Sequence, residues 1–458
     1  MKNPKRTSVS LTDVRIRLTN LRMVVLVAVL LGAVIGSFGC QQDPTATLTP
    51  TNPAVPTQPP ATVVARPEEA TKSSEEITRS PETPFATAVA PAPSPTDAPS
   101  STTRPTQTPK PTNSPRPTRT ARPTRTPTQT PTLWPGSGPI GGPDFPPDVN
   151  PLTGLKVSDP AVLERAPLAI KVSNAPPSVR PQAGLDKADL VFEHYAEGGV
   201  TRLTAVFLGQ TPTMVGSVRS GRLIDMEIPA MFKALFAFSG TSAGVAETYR
   251  KSDLWPDQLA RPGTAGGAFY RRDLPKAWEH TLFINPVTLW EEAERRGLNE
   301  RKDLRGMSFD NNPPSGGSAA EEVSVLYRAA QNHVQWVYDR SQKRFYRWQG
   351  GTPHTEEISG SQLSAANVIV VSANHVETNI VEDTWGGGHW SIEVQIWGEG
   401  PVSIFRDGLR YDGIWRRYDR HEPLSFWTTD GTQRIPLKPG NSWLQMVPLG
   451  FTGLEVSP

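Results

Sequence analysis

Residues 41 to about 147 do most to limit what this chain can fold into. Thr, Pro, Ser and Ala dominate there, and most of the 48 prolines of the 458-residue chain fall in this stretch. Its few bulky apolar residues recur without a period. Burial therefore cannot offset the entropy of ordering it, and a long disordered, partly polyproline II stalk is expected. At ~3.1 Å per residue, about a hundred extended residues reach on the order of 300 Å before thermal averaging shortens them. Glu68, Glu69, Glu75, Glu76 and Glu82 lie in its first part, and Arg104, Lys110, Arg116, Arg119, Arg122 and Arg125 in its last. The spacing of the last four would line one edge of a polyproline II helix. Solubility and spacing account for these charges better than contact with an anionic envelope polymer does. Folding is thereby confined to 148–458, roughly enough chain for two domains.

The N-terminus fixes the expected compartment. Lys2, Lys5, Arg6, Arg15, Arg17 and Arg22 precede an apolar run, Met23–Phe38, that ends at Gly39-Cys40. A basic region, a short apolar region and a small residue make a secretory signal. Cys40 is the single cysteine, and glycine then cysteine at that junction resembles a lipobox, in which the cysteine becomes the lipidated first residue. Ser37 and Phe38 stand where an aliphatic and a small residue are usual, and an uncleaved signal anchor is the other reading. Both export everything after residue 40, because the positive charge stays inside. The expected location is the extracytoplasmic face of a bacterial membrane. One cysteine allows no intramolecular disulfide, and a net charge of +2 gives no argument for nucleic acid.

Within 148–305, Leu190–Tyr195 and Leu203–Leu208 alternate as strands around a Glu197-Gly198-Gly199 turn. Leu168–Val172 and Ala234–Phe238 read as further strands. Asp225–Leu235, Ala243–Ser252 and Pro286–Gly297 read as helices, a mixed sheet with helices packed on it. The Gly/Ser/Pro/Asn-rich stretch 306–320 reads as a linker. Beyond it, 321–458 is mostly antiparallel β, with strands at Val323–Leu326, Val334–Tyr338, Arg344–Trp348, Val368–Val371, Ser391–Ile396, Val402–Arg406 and Trp443–Val447. Asp407-Gly408 is a hairpin signal. The fold class expected is α+β, or mixed α/β.

The words NPLTGL, RPQAGLDKADLVFEHYAEGGVTRLTAVF, VGSVRSGR, AFSGTSAG, GGAFYRR, EHTLF and PGNSWLQMVP occur in that order. In this the chain resembles the YerB-like lipoprotein family, a domain of unknown function with N- and C-terminal parts, over essentially all of 148–458. The resemblance implies a two-part extracytoplasmic module without an established activity. It supplies no mechanism.

Chemistry must come from the residues. Charges crowd the rims of the two central strands: Glu193, Glu197, Arg202, Arg219, Arg222 and Asp225. If Arg202, Arg219 and Arg222 converge on the Gly240–Gly244 loop, forked donors and free backbone N–H groups await a phosphate or carboxylate, and an anionic or glycan envelope ligand is the expected partner. The bland alternative is that these arginines pair with Glu193, Glu197 and Asp225 to hold strand ends together. Gly240-Thr241-Ser242-Ala243-Gly244 also satisfies G-x-S-x-G between a strand and a helix, the setting of a nucleophile elbow. Asp253 or Asp257, then His280, complete a Ser…Asp…His order. No HGG-type loop precedes Ser242, about forty residues is a short span for a triad, and the family's usual word here resembles G-G-S-P. A hydrolase or transferase acting on envelope material therefore stands behind ligand binding, and a protein scaffold is a third class. The histidines lack zinc spacing and no nucleotide-binding motif occurs, so no metal or cofactor is expected. Trp385, Trp390, Trp397, Trp415, Trp427 and Trp443 read as core or cross-strand residues before they read as a sugar platform.

Overall fold

The computed structural model describes residues 132–133, 140–141, 145–384 and 387–458. The signal segment, Cys40, most of the stalk and Trp385 lie outside the described residues. The first half supplies β1 (Leu168–Ser173), β2 (Leu190–Tyr195), β3 (Thr201–Phe207), β4 (Val215–Gly216), α1 (Glu227–Phe232), β5 (Leu235–Ala237), α2 (Ala243–Arg250), β6 (Leu259–Ala260), β7 (Phe269–Arg271), β8 (Leu282–Ile284) and α3 (Pro286–Arg295). The second supplies β9 (Ser318–Ala319), β10 (Glu322–Val325), β11 (Val334–Asp339), β12 (Arg344–Gln349), β13 (Asn367–Asp383), β14 (His389–Gln395), β15 (Gly398–Arg406), β16 (Leu409–Arg417), β17 (Ser425–Thr428), β18 (Ser442–Pro448) and β19 (Leu454–Ser457).

One twelve-stranded sheet carries both halves, in the order β9-β16-β15-β13-β18-β2-β3-β1-β5-β6, with β14 on β13 and β17 on β16. The join is β18. It runs parallel to β13 on one side and parallel to β2 on the other, with Ser442 opposite both Asn367 and Leu190. β10, β11, β12 and β19 belong to a second, antiparallel sheet. The mixed sheet with helices and the antiparallel second half are as the sequence suggests. The stretch read as a linker is partly paired: Ser308–Phe309 bonds to Ile140–Gly141, and β9 adds to β16.

Both faces of the central strands are covered, which is why they read as nearly continuous apolar runs. Leu190, Phe192 and Val206 enter one core, whereas Val191, Leu203 and Ala205 enter the other. A strand buried on both sides must also bury its polar residues, so Glu193, His194, Arg202 and Thr204 are all out of solvent. Such groups persist only when paired.

Two elements differ in extent from the sequence reading. The helix expected from Asp225 is a 3-10 turn, Leu223–Met226, followed by a short α1 that stops at Lys233, whose φ is 50°. The strand expected at Val368–Val371 continues to Asp383, and its distal half pairs with β14 as a projecting arm. That distal half, Ser372–Asp383, is polar and partly exposed, so it lacks the apolar alternation by which a buried strand is read.

Candidate functional site

Glu197 sits in the tight turn between β2 and β3, where Gly198 and Gly199 take φ values of 67° and 74°. A Cβ on Gly199 would lie 2.8 Å from Arg328 Cδ, so the turn requires glycine for both conformation and space. Arg222 donates to Glu197 through both Nε (2.6 Å) and Nη2, and Arg202 Nη2 lies 3.6 Å from the same carboxylate. Burial pushes the Glu197 carboxyl up, but the Arg222 bonds and the two guanidinium charges outweigh it and hold it at about 2. A second acid, Glu382, comes from the β13 arm to within 3.6 Å of Arg222 Nε. The far end of the arm lies over the turn as well: a Cβ on Gly198 would come 3.4 Å from His389 Nε2.

Arg219 differs from its neighbours. Its backbone is fixed on two sides, donating to Lys171 O at 3.0 Å and accepting from Ser239 N–H at 2.9 Å. Gly221 N–H donates to Gly240 O at 2.9 Å, so the VRSGR segment lies directly along the Ser239-Gly240 loop. The half-buried Arg219 guanidinium nevertheless has no side-chain hydrogen bond and no carboxylate within 4.0 Å among the described residues. Burial is the main influence depressing its pKa; Glu279 opposes this, and the Arg222 charge adds to it. Arg202, almost wholly buried, is lowered to about 10 by burial despite Glu197, with Arg219 and Arg222 adding to the shift. Nearby, His280 is buried with Nδ1 unpartnered, and its pKa is lowered by burial and then by Arg219. The cluster therefore holds three guanidiniums against two buried carboxylates, Glu197 and Glu382, and Arg219 is the one without an ion pair.

The structure brings Arg202, Arg219, Arg222, Glu197 and His280 together, and it brings Gly240 alongside. A Cβ on Gly240 would meet nothing within 4 Å, so this loop faces open space. Gly244 is different: a Cβ there would lie 2.5 Å from Ile380 on the arm. Ser242 serves as N-cap of α2, its oxygen accepting from Val245 N–H at 3.4 Å. Asp257 is exposed after the end of α2, and Asp253 pairs with Arg420 at 2.8 Å. Ser242, Asp257 and His280 share no hydrogen bond, and Glu279 Oε1 lies 3.8 Å from His280 Nε2.

The other candidates disperse. Trp415 and Trp443 are buried, Trp427 lies beneath Arg416 and Arg434, and Trp390 and Trp397 are exposed on the second half. Among the described residues, no group of three or more His, Cys, Asp or Glu is arranged to hold a metal ion.

Comparison with known proteins bears on this site only through kinship. The family described as "Protein of unknown function (DUF3048) N-terminal domain" matches residues 152–299, and its C-terminal domain matches 323–444, together more than half of the chain. The chain belongs to this YerB-like family. It is 29% identical over 301 residues to "Putative lipoprotein YerB" of Bacillus subtilis (strain 168), covering 65% of this chain and 86% of that protein. The crystal structure of the YerB protein from Bacillus subtilis superposes with a TM-score of 0.57 at 27% identity, covering 68% of this chain and 99% of that one. Neither name states an activity.

Sequence reasoning missed Glu382, Glu279 and Trp278. Glu382 reaches the cluster through a long arm whose length no local pattern announced. Trp278 is 71% exposed, with Arg271 stacked 3.1 Å from its ring centroid, and it stands two residues before His280.

Proposed function

We propose that this protein is a membrane-anchored lipoprotein of the bacterial cell envelope that binds an anionic, sugar-bearing polymer at the Arg219 rim. The anchor reading rests on the Met23–Phe38 run ending at Gly39-Cys40 and on the lipoprotein relative. The binding reading is carried by Arg219, a half-buried guanidinium with no ion-pair partner, held beside an open glycine loop. A guanidinium in partial burial gains most from a forked acceptor such as a phosphate or carboxylate. Arg202 and Arg222 are the frame rather than the hand, because Glu197 already occupies them. One face of Trp278 is covered by Arg271 and its exposure leaves the other for a sugar ring.

Retention on isolated wall material tests this. Arg219→Glu should abolish retention without lowering the melting temperature, and unchanged retention contradicts the proposal. Charge reversal at Arg222 is not a clean test, because it leaves the buried Glu197 facing a second negative charge. The hydrolase alternative predicts labelling by a fluorophosphonate probe that Ser242→Ala removes, and the binding reading predicts none.

A further inference from the structure

Directly beneath the arginine turn, Lys171 of β1 and Asp225 of the 3-10 turn meet with both side chains wholly out of solvent, Nζ to Oδ2 2.6 Å. Among the described ion pairs only one other, Arg347–Glu193, is so completely buried, and a guanidinium does not give up its proton. A lysine does. His194 Nε2 lies 2.6 Å from Nζ, and Thr204 Oγ1 lies 3.1 Å from it. The Thr204 hydroxyl donates to Asp225 Oδ1 at 2.7 Å, and the Arg222 backbone N–H donates to Oδ2 at 2.8 Å. His194 Nδ1 is 2.9 Å from the Tyr195 carbonyl, which accepts its proton and leaves Nε2 as the lone-pair nitrogen facing the lysine.

The geometry points to an intramolecular isopeptide bond, formed by condensation of the Lys171 amine with the Asp225 carboxyl. An amine, a carboxyl, a neutral imidazole and two donors on the carboxyl oxygens are the parts an acyl transfer needs. The attack begins once one proton has moved from Nζ to Oδ2, 2.6 Å away, which leaves an amine lone pair facing a carboxylic acid. Burial lowers the Lys171 pKa to about 8 even against the attraction of Asp225, and holds His194 neutral. The Nζ lone pair then attacks Asp225 Cγ, and the displaced N–H proton passes to His194 Nε2. Thr204 holds Oδ1 as the oxyanion, while Oδ2, beside Nζ and the Arg222 amide, carries the departing hydroxyl. The departing hydroxyl takes the proton back from His194 and leaves as water. One C–N bond forms, one C–O bond breaks, and nothing is oxidised or reduced. Water normally reverses such a condensation, but here the amine lies 2.6 Å from a carboxyl oxygen and both side chains are closed off from bulk water.

The bond would tie strand β1 to the turn that aims Arg219 and Arg222. It would do so in a chain whose one cysteine permits no internal disulfide. It is independent of what the arginines bind.

Mass spectrometry of the purified full chain, denatured, reduced and digested with trypsin, decides the matter. The expected result is a branched species joining the Lys171 and Asp225 peptides, about 18 Da (one water) lighter than their sum. It should vanish in Lys171→Arg and in Asp225→Ala. His194→Gln should leave most chains unlinked while the circular dichroism spectrum stays native. Recovery of both wild-type peptides at their full masses, with trypsin cutting after Lys171, overturns the inference. A His194→Gln protein as fully linked as wild type overturns the role given to His194.

Discussion

Glu197 sets the energetics of the cluster. Its carboxyl is held at about 2 against an ordinary value of 4.5. A depressed acid contributes stability that is fully present above the unfolded pKa and is lost as pH falls toward the folded one. The window is therefore about pH 4.5 down to 2, and the amount is on the order of 3 kcal/mol. Glu197→Gln should lower the melting temperature near neutral pH, with the gap to wild type closing as pH falls through that window. A gap that stays constant with pH contradicts the assignment. Asp189 acts oppositely: burial raises it to about 6 despite bonds from the Leu208 and Gly209 N–H groups and Asn150. Its protonation adds stability as pH falls from about 6, so the two acids must be separated by the variant. At this scale much of the candidate cluster was legible. A buried strand pair had no need of Glu197 and three arginines at its rim, and four of those residues do converge. The sequence could not tell which arginine is free, because that depends on how the Gly198-Gly199 turn aims Glu197 at Arg222 and Arg202.

The arm formed by β13 and β14 is the element that completes the site, and its seat is Gly244. Any side chain there runs into Ile380, since the Cβ alone would come within 2.5 Å of that methyl. Gly244→Val should therefore lift the arm from α2 at a cost of about 1–3 kcal/mol, read as a lower melting temperature. Hydrogen exchange should quicken along the arm's ladder, at 374–383 and 389–395, more than in β1 or β2. Uniform exchange through the molecule would contradict the arm's separate seating. Local chemistry made some elements readable. Asn285 caps α3 by accepting from Val287 and Thr288 N–H groups, with Pro286 in the first turn. Asp407 and Gly408, both at positive φ, turn β15 into β16 as the Asp-Gly signal suggests. The arm carried no such signal, because its stability comes from pairing and from its seat rather than from its own apolar face.

At the scale of the whole molecule, β18 decides the architecture. The sequence motif PGNSWLQMVP was visible as a strand, but nothing local says that it inserts between β2 and β13. Parallel pairing is fixed by long-range contacts alone. Trp443 on β18 is wholly buried, 5.3 Å from Trp336 in centroid distance and 4.5 Å from the Arg347 guanidinium, so one side chain locks the two sheets together. Heating should unfold residues 145–458 in one transition detected alike by tryptophan fluorescence and circular dichroism. A chain ending at Lys438 should fail to fold, because it exposes two central strand edges at once. Two separate transitions would contradict this.

Arg219 is the proposed anion seat. Calorimetric titration of wild type and Arg219→Ala with a phosphodiester-linked wall polymer fragment, and with its neutral sugar counterpart, tests it most directly. Wild type should bind the anionic fragment with an affinity that falls as salt rises, and the variant should bind it at least about tenfold more weakly, roughly 1.4 kcal/mol, as expected for a lost charge-assisted bond. Equal binding of the anionic fragment by both proteins would rule out an anion seat at Arg219.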